Sequence, residues 1–149
     1  MLAPGQSSSE AIVTVVRRGL IVILVLAMAG ILVELLLIEH FEDAWQLVPV
    51  ILLGLGLFAL AWHVYAPGPA SGRAWGFLMA LFVIAGFIGF YMHYAGNVEF
   101  ELEQTPNATR WTLFREAMMG ATPALAPGAM IQIGLIGLLY GVVARKAQR

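Results

Sequence analysis

Residues 76–103 read GFLMALFVIAGFIGFYMHYAGNVEFELE. From Gly76 to Ala95 this run holds no Asp, Glu, Lys or Arg over 20 residues, about the length a helix needs to cross the hydrocarbon core of a bilayer. It then passes through His93-Tyr94-Ala95-Gly96-Asn97 into the acids Glu99, Glu101 and Glu103. A membrane span that ends in a polar cluster is the pattern from which the rest of the chain is read.

Composition agrees. The 149 residues are 60% hydrophobic and 11% charged, where a soluble domain carries about 25% charged residues. The reading is an integral membrane protein with one all-α domain over residues 1–149. Cysteine is absent, which excludes disulfides and thiolate metal sites. No basic run points to nucleic acid.

Three further apolar runs give spans at about 19–39, 46–66 and 128–144, beside the one at 75–95. Residues 1–16 are small and polar enough to read as a flexible tail. Arg17-Arg18 followed by apolar residues and Ala27-Met28-Ala29 has the form of a cleavable signal peptide. The apolar run continues to Ile38, however, and its length favours an uncleaved span. Pro49 falls in the first turn of the second span, where its missing N–H costs little, and residues 67–73 form a turn-rich break.

Residues 96–127 make a loop too polar to span. Val98, Phe100 and Leu102 alternate with glutamates as a short strand would. Thr105-Pro106 then reads as N-cap and first helical position. Trp111, Phe114 and Met118 recur at helical spacing opposite Arg110 and Glu116, up to a stop at Gly120, giving an amphipathic helix at the membrane surface. Thr122-Pro123 opens the re-entry.

Arg17, Arg18, Arg73, Arg145, Lys146 and Arg149, six of the eight basic residues, fall on the face that holds both termini. The positive-inside rule makes that face cytoplasmic. The long acidic loop then lies outside, with Trp45, Trp62, Tyr65, Trp75, Tyr91 and Tyr94 as interfacial anchors.

Close packing in lipid relies on small residues aligned on one helix face. Such ridges read Ala27/Gly30/Glu34, Gly56/Ala59/His63, Gly86/Gly89/His93 and Gly134/Gly137/Gly141. Three end in an ionisable residue, so Glu34, His63 and His93 are expected to face the bundle, because a charge in hydrocarbon is costly. Gly137–Gly141 also matches G-x-x-x-G, and helix packing within the chain explains it without homodimerisation.

His40 and His93, with Glu39 and Glu99, fall near the outer face and supply chemistry suited to a transition metal or to axial haem ligation. No fixed ligand spacing accompanies them, and hydrogen-bonded interfacial histidines would look the same. Glu34 is an intramembrane carboxylate, read either as a proton or ion site or as a helix-pairing group. His63, beside Trp62, reads as an interfacial anchor too far from the other histidines to share a site. Asn107-Ala108-Thr109 matches a glycosylation sequon that carries no weight alone. No nucleophile–base pair, P-loop or dinucleotide fingerprint occurs, which leans away from an enzyme.

The strings His93-Tyr94-Ala95-Gly96-Asn97-Val98-Glu99-Phe100-Glu101 and 120–128 running into Gly134-Leu135-Ile136-Gly137-Leu138-Leu139-Tyr140 resemble a group of small four-helix bacterial membrane proteins of no established activity. The resemblance covers about the last 60 residues. It implies a bacterial inner-membrane location and transfers no functional residue. Three functions follow as expectations. The first is an accessory or assembly subunit of a larger membrane complex, or a homo-oligomer through the glycine ridges. The second is a metal- or haem-binding protein at the outer face. The third is a small proton-linked carrier using Glu34.

Overall fold

The computed structural model describes residues 4–120 and 124–146, and every element among them is helical. The order is α1 (Pro4–Leu37), α2 (Ala44–Tyr65), α3 (Pro69–Gln104), α4 (Arg110–Met118) and α5 (Gly128–Lys146). α1, α2, α3 and α5 are long and apolar enough to cross a membrane, so by length and composition this is a multi-span membrane protein. Pairwise contacts run α1–α2, α2–α3, α3–α5 and α5–α1, closing the four into a bundle, while α4 packs on α3. Arg17, His63, Arg73 and Arg145 gather at one end, the arginine-rich end. α4 marks the other.

The core is Leu24 and Met28 of α1, Leu52, Leu53, Ala59 and Leu60 of α2, Trp75, Leu78, Met79 and Phe82 of α3, and Met130, Ile133, Tyr140 and Ala144 of α5. Glycines set how closely the backbones pack. A Cβ on Gly134 would lie 2.7 Å from the Met79 carbonyl oxygen and 3.0 Å from the Val83 nitrogen. One on Gly86 would lie 2.9 Å from the Ile131 nitrogen. Only hydrogen fits, so α3 and α5 meet backbone to backbone, as small-residue seams do in membranes. Trp75, 1% exposed, spans this seam and donates its indole N–H to the Gly137 carbonyl at 2.7 Å.

Several expectations are corrected. Residues 4–16 are helical: Pro4 stands at the first helical position, no breaker follows Gly5, and a helix nucleated in its span extends cheaply. Met1–Ala3 lie outside the described residues. The break at 67–73 shrinks to residues 66–68, because Pro69 starts α3 and Ser71 Oγ accepts the Gly68 N–H at 3.0 Å. No strand forms at 98–103. With no second strand to pair it, extended backbone would leave its polar groups unmet, and α3 continues to Gln104 instead. Over 36 residues it is about 54 Å long, well beyond a hydrocarbon core of about 30 Å.

Thr105-Pro106 ends α3 and does not start α4. The Thr105 N–H bonds the Glu101 carbonyl at 2.8 Å, and the N-cap of α4 is Thr109, which accepts from the Thr112 N–H at 3.2 Å. Trp75 is a core residue, whereas Trp45, Trp62, Tyr65 and Tyr91 are exposed as anchors would be. Thr122-Pro123 and Arg149 lie outside the described residues.

Candidate functional site

At the α4 end, α1 stops in a Schellman turn. The His40 N–H bonds the Leu35 carbonyl at 2.8 Å and the Glu39 N–H bonds the Leu36 carbonyl at 3.3 Å. This is the six-to-one and five-to-two pair that closes such ends. Glu39 takes the left-handed position at φ 56°, where glycine is usual. The turn sets His40 beside His93 of α3, with ring centroids 6.5 Å apart and planes tilted by 57°. Asp43 then caps α2, accepting from the Trp45 and Gln46 N–H groups at 2.7 and 2.9 Å. The two histidines anticipated as a pair are therefore neighbours. Glu39 and Glu99 are both exposed. Among the described residues no three His, Asp or Glu side chains gather into a metal-holding group.

The extension of α3 carries a small outer platform. Asn97, 5% exposed, donates from Nδ2 to the Ala117 carbonyl at 2.8 Å. Tyr94 meets Phe114, and Phe114 stacks on Trp111, at centroid distances of 6.1 and 5.7 Å. Ala117 is fully buried while Trp111 and Phe114 stay exposed. α4 therefore faces α3 through Ala117 and one side of Phe114, while Trp111 stays on the outside.

At the arginine-rich end, the expected ridge of α2 faces inward throughout: Gly56, Ala59 and His63 are all buried. His63 is no interfacial anchor. Its Nδ1 lies 3.1 Å from Ser71 Oγ and its ring stands edge-on to Tyr140 at 5.8 Å, which is in turn edge-on to Trp75 at 5.6 Å. Ser71 Oγ also lies 3.0 and 3.1 Å from the Ala66 and Gly68 carbonyls. A hydroxyl has one proton. If a carbonyl receives it, His63 donates from Nδ1. Arg17 of α1 is an electrostatic neighbour of both His63 and Tyr140, and its Nε is buried without a hydrogen-bond partner.

Glu34 is the clearest departure from expectation. The packed face of α1 runs through Leu24 and Met28, with Ile31 and Leu35 beside it. Glu34 is exposed on the outside of the bundle, and a Cβ on Gly30 would meet nothing within 4 Å. Gly30 and Glu34 of the expected ridge therefore look away from the other three spans, while Ala27 packs against the core. The ridges of α3 and α5 do face inward, with Gly86 and Gly89 against the 127–131 segment and Gly134 and Gly137 against Met79.

Sequence reasoning missed the Ser71 partner of His63, which depends on where α3 begins, and the role of Arg17. Its only sequence signal was a pair of arginines before an apolar run. No family model, curated protein or solved structure matches this chain.

Proposed function

We propose that this chain is a non-enzymatic accessory or assembly subunit of a larger complex in the bacterial inner membrane, its termini in the cytoplasm and α4 at the outer surface. The observation that carries the reading is the outward face of α1. Only 11% of its span is buried, against 28–33% for the other three, and that face combines the open space at Gly30 with the exposed carboxylate of Glu34. A carboxylate in a span is costly against lipid and is usually met by a partner group, and a glycine on a span favours close approach of another helix. The partner this face suits is a second membrane helix with a donor or basic group at the level of Glu34.

The test is gentle detergent extraction from native membranes, followed by the mass of the particle that holds the chain. The reading predicts a particle larger than the monomer. Gly30→Leu, which adds bulk to the outer face of α1 where a side chain meets nothing of the bundle, should release the chain while its helix content stays unchanged. A wild-type monomer would sink the proposal.

A second reading is favoured by the His40–His93 pair. Two imidazoles sharing one ion through bonds of about 2 Å have ring centres roughly 5 to 6.5 Å apart, from bent to linear. The observed 6.5 Å lies at the upper end of that range, within reach of one ion or haem iron shared by the two rings. It does not suit a four-coordinate zinc site, which needs further ligands. An optical spectrum with metal analysis, beside a His40→Ala/His93→Ala double variant, distinguishes the readings. A stoichiometric metal or haem band lost in the variant would support this one. The proton-carrier reading has less to recommend it, since Glu34 lies outside the bundle and away from any path between its helices.

A further inference from the structure

The arginine-rich end contains a pocket of about 500 Å³ between α2, α3 and α5. His63, Arg73 and Arg145 supply its polar wall, and Gly72, Gly76, Leu138 and Gly141 its floor. No carboxylate lines it among the described residues. Glu10, the carboxylate nearest to Arg17 in sequence, stands seven residues before it on α1. Among the described residues the one ion pair is Arg115–Glu116, at the opposite end of the molecule. Arg73 and Arg145 therefore converge on one concavity with no counter-charge among the described residues that line it, and the buried Nε of Arg17 has no hydrogen-bond partner.

We propose that this pocket binds a phosphate-type anion, supplied by the head group of an acidic phospholipid. Guanidinium groups match phosphate oxygens through paired N–H donors. The two arginines come from different helices, and α3 begins at the pocket, so the positive end of its dipole adds to the field. The phosphate could come from a lipid or from solution. Two observations favour a lipid. The pocket sits at the ends of the spans, at the level of head groups, and its floor of glycines and Leu138 continues as apolar helix surface on which a glycerol and acyl chain can lie. Basic pockets between spans are a known setting for such head groups.

The experiment is native mass spectrometry of the intact chain from nanodiscs of mixed phosphatidylglycerol and phosphatidylcholine. The proposal predicts that phosphatidylglycerol is retained in preference to phosphatidylcholine. An Arg73→Gln/Arg145→Gln double variant should lose that preference by on the order of 25-fold, about fivefold per arginine. Both side chains are exposed, so the variant should keep its helix content, to be checked by circular dichroism. Arg115→Gln, at the other end, should behave as wild type. Equal retention of the two lipids by the wild type, or an unchanged preference in the double variant, would overturn the proposal. Displacement of phosphatidylglycerol by an equal concentration of inorganic phosphate would overturn the lipid assignment and give the site to a soluble anion.

Discussion

Glu39 holds its backbone at φ 56° in a position that closes a helix and usually falls to glycine. A side chain there costs about 1 kcal/mol. Glu39→Gly should raise the unfolding free energy by about that amount, read as an upward shift in denaturant midpoint; no gain would mean that Glu39 makes a compensating contact. Asn97 works in the other sense. Its Nδ2 reaches from α3 to the Ala117 carbonyl, and a Cβ on Gly120 would lie 2.7 Å from its Cγ. Asn97→Ala would leave that carbonyl unmet at a cost of about 1–2 kcal/mol. Amide exchange should then quicken in α4 while the four-helix core keeps its protection; equal protection in both proteins would count against this role. Neither residue announces itself in sequence, because each acts through backbone groups that only the fold brings near.

Among the elements, the α3–α5 seam was the most legible. Gly134, Gly137 and Gly141 recur at helical spacing, and nothing but close packing explains three glycines on one face of a span. Gly134→Val should cost about 3 kcal/mol through overpacking against the Met79 carbonyl. Gly54→Ala, where a Cβ meets nothing, should stabilise α2 by about 0.5–1 kcal/mol. Comparable unfolding of the two variants would contradict the seam. α1 was misread for a geometric reason. Its small residues and its packed residues are both spaced helically, and Glu34 and Leu35 differ by one step, about 100° of rotation. Spacing identified two faces without saying which one the bundle takes. The false strand at 98–103 has a similar cause, since alternation over six residues cannot outweigh a helix that already satisfies its own backbone. Trp75 deceived because an aromatic residue near a span end is usually an anchor, yet here its indole serves the seam.

For the whole molecule, the number of spans was legible because it depends on length and apolarity alone. What the bundle does with its surface was not. Gly56 of α2, Gly86 of α3 and Gly134 of α5 are packed inside the bundle, whereas α1 keeps its open glycine and its carboxylate outside. This asymmetry is the basis for the proposed subunit role. The most direct test places a photo-crosslinking residue at position 30 and, as control, at position 54, another glycine with open space around it, in native membranes. A partner face on α1 predicts a discrete protein adduct from position 30 and lipid adducts alone from position 54. Lipid adducts alone from both positions would mean that the outer face of α1 looks only onto the bilayer, and would contradict the account.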